Sequence, residues 1–530
     1  MHGREKAGTF RDRNIVIVGL ARSGTGAANL LAFLGAKVCV TDAKPFNSLK
    51  DYIGELDPYI KVAVGGHPAK LFNQADIIVV SPGVPLDIPP LMHARERGIP
   101  VIGELELAYQ VIKSEFSPPR FAERGRGVQN SANPPLPPFV KGGNTLSPPL
   151  SKGDVGGFFI AVTGTNGKST TTTLIDLMLK KAGFRTLLGG NIGNALTEEL
   201  LKAISSEQLA VSKEQTANRY QLSASFIVAE VSSFQLESIK DFRPKIAVLL
   251  NITPDHLDRY HTMEEYINAK ARVFENQGDG DYLILNADAP LIKKVKSEKL
   301  KVKSKKPKVL YFSREKVVEG VYYKNGMIYF YLPEFNILPS AFSLQPSTFR
   351  LKGVHNIENA MAASAAALVS GCPLDAVRDV LEDFPGLEHR LEFVCEIDGV
   401  SFFNDSKGTN IGAVVKSLGS FQNVILIMGG RDKAGDFTVL RDLISERVKA
   451  LILLGEAREK IAAVLEGLTE MVFVNDIKEA VEASLSRASG GDVVLLSPGC
   501  ASFDMFVDFE DRGRQFKKAV REIQKSKIKI

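Results

Sequence analysis

The sequence predicts an α/β protein of three domains: a Rossmann-like domain at the N-terminus, a central domain of the phosphate-loop (P-loop) type, and a second Rossmann-like domain at the C-terminus. Three observations predict it. Short apolar runs, each closing in a glycine or polar turn before a helical pattern, recur from Asn14 to Leu496, which is the rhythm of βα units in a parallel sheet. Among them lies AVTGTNGKSTTTT, Ala161 to Thr173, with strand, glycine turn and helix start in the order a phosphate site requires. The length of 530 residues fits roughly three domains of ~150 residues.

Asn14 to Val18 is an apolar run ending at Gly19; LARSGTGAANLLAFLGA is helical in pattern, and a second run, Lys37 to Val40, closes in Thr41 and Asp42. This is a β-α-β start. Its glycines, Gly19, Gly24 and Gly26, do not form GxGxxG, although Asp42 stands where an acidic ribose ligand is expected. A dinucleotide site, a nucleotide-sugar site and no ligand all remain open. Asp76 to Val80 then runs into SPGVP, and Val101 to Ile102 into GELELAYQ, strand ends suited to holding a ligand.

Between Ser117 and Pro149 lie eight of the chain's 26 prolines, with PPL followed by KG nearly repeated. No packed core can form from such a composition, so it reads as a linker or insertion. Expected boundaries are 1–113, a linker at 114–157, 158–385 and 386–530. Ser205 to Ser225 reads as a second, polar surface excursion.

In the central domain, Gly164 and Gly167 let the GTNGKS turn bend its N–H groups toward phosphate, with Thr165 and Asn166 between them. Lys168 adds charge, Ser169 or Thr170 a hydroxyl for Mg2+, and the following helix its N-terminal dipole. The first glycine of GxxxxGK[ST] would fall at Val162, so the turn is a shortened form. Phe226 to Ala229 leads into EVSSFQLE, and Lys245 to Leu250 into NITPDHLDRYHT, bringing Glu230, Asp255, His256 and Asp258 to strand ends. Such carboxylate and imidazole groups suit Mg2+.

Thr262 to Glu265 reads as a capping box opening a helix through about Glu275. Lys270 falls in its apolar stripe of Met263, Tyr266, Ile267, Val273 and Phe274, and must snorkel, find a partner or lose its charge. A strand-rich part from Val309 to Leu351 precedes GVHNIENAMAASAAALVSG, where His355, Asn356 and Asn359 open a helix that Gly371 closes. These amides can read a nucleobase edge or simply cap the helix. After PGLEHRLE, the runs Val400 to Phe403, Val424 to Ile427, Ala450 to Leu454 and Val493 to Leu496 lead into NDSKGTN, MGGRDKAGDF, LGEAREK and SPGCASFDMFVDFEDRG, a second open sheet.

Composition narrows the functional classes. Net charge is +5, yet Lys293 to Lys308 holds nine lysines against one glutamate, a solvated run rather than a nucleic-acid footprint. The four cysteines, Cys39, Cys372, Cys395 and Cys500, lack metal or disulfide spacing and fit a reducing cytoplasm. No apolar run approaches the ~18 residues of a membrane span, so a cytoplasmic protein without membrane contact is expected.

GTNGKST, EVSSFQLE, HNIENAMAA and HRLE together resemble the Mur ligases of peptidoglycan synthesis, a set shared with folylpolyglutamate synthase. NDSKGTN, SPGCASFDMFVDFEDRG and GLARSGTGAA resemble the branch that adds D-glutamate. The resemblance implies an ATP- and Mg2+-dependent enzyme. In it the carboxylate of UDP-MurNAc-L-alanine attacks the γ-phosphate, and D-glutamate's amine captures the acyl phosphate. By resemblance, Lys168 serves the phosphates with Gly164 to Thr170 around them, Ser169 and Glu230 one Mg2+, and His256 another. Lys270 matches a lysine carbamylated in the family, which would make it an anion suited to Mg2+. Asn359 would contact adenine, with Arg390 and Asp405 reaching ATP. Lys407, Thr409, Lys433, Ser502 and Phe503 match positions around D-glutamate; Ser23, Asp42 and Gly83 those at the uridine diphosphate; and Asn191 the muramoyl part. A monomer is expected. The alternatives are another Mur ligase, a folylpolyglutamate synthase-like amide ligase, a nicotinamide-dependent enzyme or a nucleotide-binding module without turnover.

Overall fold

Buried strands carry the architecture. The computed structural model describes residues 10–117, 159–210, 220–221, 224–256, 259–292, 295, 306–339, 343–349, 354–433 and 435–528; the greater part of the proline-rich stretch, most of the lysine-rich run and Asp258 lie outside them. The first sheet has five parallel strands, β1 (Asn14–Val18), β2 (Lys37–Asp42), β3 (Lys61–Val64), β4 (Ile77–Val80) and β5 (Val101–Gly103), in the order β3-β2-β1-β4-β5. Runs such as IVIV in β1 and IIVV in β4 are buried throughout, as strands covered on both faces must be. The order reverses between β1 and β4, where an open sheet leaves a crevice for a ligand. Strand β3 is more exposed and was not expected from the sequence.

A short parallel pair joins β6 (Phe116–Ser117) to β9 (Tyr220–Gln221). The central sheet has nine strands, ordered β16-β15-β14-β13-β12-β11-β7-β10-β8. They are β7 (Phe159–Thr163), β8 (Thr186–Gly190), β10 (Phe226–Glu230), β11 (Ile246–Leu249), β12 (Tyr282–Asn286), β13 (Lys308–Ser313), β14 (Gly320–Lys324), β15 (Met327–Tyr331) and β16 (Ser343–Leu344). The last two pair antiparallel.

Two local expectations are corrected here. The helix Leu196–Ala210 runs into the stretch expected as a surface loop from Ser205, because Leu196, Leu200 and Ile204 form a buried i, i+4, i+8 stripe that carries it onward. The helix with Lys270 ends earlier than expected: Met263–Ala271 is α-helical and Arg272–Phe274 tightens to a 3-10 turn, held by Arg272 donating to the carbonyls of Glu237 and Ile239. Its capping box is half formed. Thr262 Oγ1 accepts from Glu265 N at 3.2 Å, but the Glu265 carboxylate takes the N–H of His261.

The third sheet is β17 (Glu392–Ile397), β18 (Val400–Asn404), β19 (Val424–Gly429), β20 (Val448–Leu454), β21 (Glu470–Phe473) and β22 (Val493–Leu496), ordered β17-β18-β22-β19-β20-β21 with only β17 antiparallel. Its strands face two cores by turns. Ile425, Ile427 and Val494 enter one cluster, while Leu426, Met428 and Leu495 enter the other.

The chain forms two compact units. One comprises Met1–Asn251, Tyr266–Pro346 and Glu358–Leu381, the other Ile252–Glu265, Ser347–Ile357 and Glu382–Ile530. The first and central sheets therefore share a unit. Helix Arg22–Phe33 packs on Leu196–Ala210 there, and two buried carboxylates tie the seam. Glu104 Oε1 accepts from Thr197 N at 2.8 Å, and Glu106 accepts from the N–H groups of Lys240, Asp241 and Phe242 at 2.8 to 3.1 Å. GELELAYQ was expected to hold a ligand, yet these two carboxylates are spent on the seam. Among the described residues no helix is long and apolar enough to cross a membrane.

Candidate active site

The phosphate turn is built as its residues dictate. Gly167 has φ +86° and is the N-cap of helix Lys168–Lys181, which no side chain caps, so its first N–H groups face the turn. A Cβ at Gly167 would lie 2.2 Å from Asn359 Oδ1, so only glycine fits against that amide. Asn359 is buried here and accepts from Thr171 Oγ1 at 3.4 Å; the structure places it against the phosphate turn. The turn is also pinned from β11. Asn251 Oδ1 accepts from Asn166 N at 2.9 Å, its Nδ2 donates to Asn166 O at 3.0 Å, and its carbonyl takes Thr165 N. Asn251 was not singled out in the sequence, because nothing local marks an amide that closes on a partner 85 residues away.

Two lysines meet at one carbonyl. Lys168 Nζ donates to Gly164 O and Thr165 O, both at 2.9 Å, and Lys270 Nζ donates to the same Gly164 O at 2.9 Å. Lys270 is 2% exposed and does not snorkel; its ammonium also lies 4.6 Å from the Tyr266 ring centroid. Tyr266 Oη is in turn 3.2 Å from Thr165 Oγ1. Opposite them, Ser169 Oγ donates to Glu230 Oε2 at 2.5 Å and Asn191 Nδ2 to Glu230 Oε1 at 2.8 Å. Ser169, Thr170 and Glu230 are all buried. A hydroxyl and a carboxylate side by side at a phosphate turn are hard oxygen donors, and they fit Mg2+.

In the first sheet, Ser23, Asp42 and Gly83 all lie at the carboxyl edge: Ser23 in the first turn of the helix Arg22–Phe33 that follows β1, Asp42 as the last residue of β2, and Gly83 in the turn after β4. Asp42 holds the edge together by accepting from Leu20 N at 2.7 Å and Lys44 N at 2.8 Å. Ser81 Oγ donates to Gly19 O at 2.8 Å across the β1/β4 reversal. A Cβ at Gly24 would lie 2.0 Å from Gly19 O, which explains the glycine there better than any dinucleotide fingerprint does.

The second unit carries the other expected residues. His256 has φ +54°, its N–H bonds Asp255 Oδ1 at 3.0 Å, and Asp255 Oδ2 takes Asn410 Nδ2 at 3.1 Å. Asp405 is buried within the NDSKGTN loop, where Ser417 and Ser497 donate to it at 2.6 and 2.9 Å. Burial pushes its carboxyl up to about 6 against those hydroxyls and nearby Arg390. His355 is held neutral, its pKa lowered to about 4 by burial and then by Lys416 and Arg390.

Lys407 and Thr409 are half-buried in the same loop, with Lys407 N bonded to His389 O at 3.0 Å. Lys433 is half-buried next to Asp432, which takes Lys460 Nζ at 2.5 Å. Ser502 is buried, but Phe503 points to solvent at 65% exposure. Phe509 instead has Lys407 Nζ 3.5 Å from its ring centroid. Arg512, also missed, is 1% exposed and spans both loops, donating to Ser406 Oγ at 3.0 Å, Ser406 O at 2.8 Å and Cys500 O at 3.3 Å. Its only sequence signal is a charge inside the FEDRG string.

Fold and site define a class: an α/β enzyme that handles nucleotide phosphate, with a shortened glycine-lysine turn and hard oxygen donors beside it. Three family profiles match the chain in succession: the MurD-like N-terminal domain of Mur ligases at residues 13–103, the Mur ligase middle domain at 162–367, and the Mur ligase glutamate ligase domain at 389–500. The UDP-N-acetylmuramoylalanine–D-glutamate ligase of Geotalea daltonii is 42% identical over 518 residues, 97% of this chain and 98% of its own. That of Koribacter versatilis is 40% identical over 98% of this chain and 99% of its own. Among solved structures, UDP-N-acetylmuramate-alanine ligase MurC of Thermotoga maritima shares the fold with TM-score 0.54 and 18% identity, over 97% of this chain and 100% of that one. MurF of the same organism, in complex with ADP, gives TM-score 0.53 at 14% identity, over 97% of this chain and 96% of that one. The chain belongs to the Mur ligase family, on the branch of the UDP-N-acetylmuramoylalanine–D-glutamate ligases.

Proposed function

We propose that the protein is an ATP-dependent ligase joining D-glutamate to UDP-N-acetylmuramoyl-L-alanine in peptidoglycan precursor synthesis. The observation that carries this reading is the pairing, at one shortened phosphate turn, of two lysines on the Gly164 carbonyl with the Ser169–Glu230 contact on the other side. A carboxylate is a poor electrophile and must be activated. Its oxygen attacks the γ-phosphorus, the bond to ADP breaks, and the acyl phosphate forms. The D-glutamate amine then attacks the acyl carbon, phosphate leaves, and the amine gives up a proton.

Each residue has a part in this. Lys168 and the N–H groups of Gly164 to Thr170 bind the phosphates and stabilise the charge that develops on them. Ser169 and Glu230 would hold one Mg2+ and His256 another, and Lys270 as a carbamate would be an anion suited to Mg2+; Mg2+ supplies charge neutralisation at the phosphates. Carbamylation of Lys270 turns the second ammonium at Gly164 into an anion and removes the like-charge contact between buried Lys270 and half-buried Lys168. Asn359, Arg390 and Asp405 serve ATP. Lys407, Thr409, Lys433 and Ser502 serve D-glutamate, with Phe509 a better candidate than Phe503 because it touches Lys407. Ser23, Asp42, Gly83 and Asn191 serve the UDP-sugar. We assign these parts to domains at 1–113, 158–385 and 386–530, joined through 114–157, in a monomer working in the cytoplasm.

Incubation with ATP, Mg2+, UDP-MurNAc-L-alanine and either D- or L-glutamate, followed by phosphate release, tests the reading. Release with D-glutamate and not L-glutamate is expected. ATP binding without any release would leave only a binding module, and release with L-glutamate and a folate would point to the folylpolyglutamate synthase alternative.

A further inference from the structure

The segment that carries Arg390 is bent in an uncommon way. His389 and Leu391, on either side of it, both have left-handed backbones, with φ +63° and +45°. Each such residue costs about 1 kcal/mol or more, and leucine has no polar side chain to recover any of it locally. A kink of this kind persists only when its surroundings hold it.

The holding contact comes from the last helix, Phe509–Ile528. Lys517 Nζ donates to the carboxylate of Glu388 and, at 2.9 Å, to Glu392 Oε1, so one ammonium joins the two ends of the kink. Lys517 is only 9% exposed, and its bond holds Glu388 below the usual carboxylate range. Glu392 uses its other oxygen inside the kink, accepting from His389 N at 2.9 Å and Asn404 Nδ2 at 3.2 Å. The kink in turn supports the loop beside it. His389 O accepts from Lys407 N at 3.0 Å, and Leu391 N donates to Asp405 Oδ1 at 3.4 Å.

We propose that Lys517 is a positioning residue: its ammonium staples Glu388 to Glu392, fixes the His389–Leu391 kink, and so aims Arg390 and seats the Lys407 loop. This rests on the functional reading that gives Arg390 to ATP and Lys407 to D-glutamate. Glu388, His389 and Glu392 have ligand atoms within 4.8 Å of one another, a spacing a metal could use. The Lys517 ammonium already supplies the positive charge between the two carboxylates, so the trio reads as an ion-pair staple.

The test uses Lys517→Met, which keeps an aliphatic stem, and Lys517→Arg, which keeps the charge. Lys517→Met is expected to raise KM for ATP and for D-glutamate about tenfold each while KM for UDP-MurNAc-L-alanine stays within about twofold, and Lys517→Arg to recover most of that loss. A purely structural lysine would move all three KM values together with the unfolding midpoint, and that result, or unchanged KM values for ATP and D-glutamate, overturns the proposal. Should Lys517→Met not fold, Glu388→Gln, altered at an exposed position, weakens the same staple and is held to the same pattern. Wild-type protein in the same assay separates the two readings. No D-glutamate-dependent phosphate release from it overturns the functional reading, whereas a working wild type with an unaffected Lys517→Met overturns the staple alone.

Discussion

At the scale of single residues, the unusual feature is two ammonium groups on one carbonyl oxygen. Like charges ~5 Å apart repel by about 3 kcal/mol at an effective dielectric of 20, so the pair makes sense where anions are to be bound. Lys168→Ala should cut phosphate release by about 10^3-fold or more, with an unfolding midpoint within about 2 °C of wild type, because the Lys168 ammonium is half-buried and donates to carbonyls of its own turn. A mutant with ordinary turnover would remove the phosphate assignment. Lys270→Ala should lose activity that added acetate or formate partly restores, since a free carboxylate can stand where the carbamate would; normal rates without rescue would rule the carbamate out. The residues of GTNGKST were legible because their chemistry is local in the sequence. Asn251 and Arg512 were not, since each acts on a partner 85 or 106 residues away and nothing in its own neighbourhood announces the contact. The difference between Phe503 and Phe509 was not legible either: Phe503 is 65% exposed, whereas Phe509 lies beneath the Lys407 ammonium, a contact about a hundred residues away in the chain.

At the scale of elements, most strands that were legible are buried on both faces and read as continuous apolar runs, although β12, YLILN and buried throughout, was not read from the sequence. Strands β3, β17 and β21 escaped because they lie at sheet edges, where KVAV, EFVCEI and EMVF are exposed or half-buried at all but one position. Two groups at the ends of elements carry opposite pH dependences. His355 opens the helix Val354–Val369 with a folded pKa of about 4, below its ordinary 6.5, so the stability it allows is complete above about pH 6.5 and is lost as pH falls toward 4. Asp405 works the other way: raised to about 6, it favours the fold when protonated and loses that contribution as pH rises from about 4 through 6. Replacing His355 by Gln should therefore flatten the acid limb, by about 3 kcal/mol at most between pH 6.5 and 4. Urea unfolding of wild type and His355→Gln at pH 7, 5.5 and 4.5 measures this, and parallel curves would show that His355 is not the group being charged.

At the scale of the molecule, three large sheets were expected and the described residues form three, beside the short β6–β9 pair, but the seam between the first two depends on side chains read differently from the sequence. Glu104 and Glu106 follow β5 in a string that looked like a ligand edge, and both are at most 1% exposed. Burial raises Glu104 above the usual carboxylate range against its bonds to Thr197. Glu106 is the better fastening. It gathers three consecutive N–H groups from Lys240 to Phe242, which would otherwise be left without acceptors at the foot of the central domain. Hydrogen bonds to a charged group contribute about 1.5–3 kcal/mol each, and stranding their donors costs a similar amount. Glu106→Ala should accordingly lower the unfolding free energy by about 2–4 kcal/mol. Because the seam sets the first sheet's carboxyl edge against the central domain, the mutant should also raise KM for UDP-MurNAc-L-alanine several-fold more than KM for ATP. Urea titration with steady-state kinetics on both substrates decides it. A loss of stability shared equally by the two KM values would make Glu106 a packing residue, whereas a selective rise for the UDP-sugar would mean that the first two domains bind their substrate as one body.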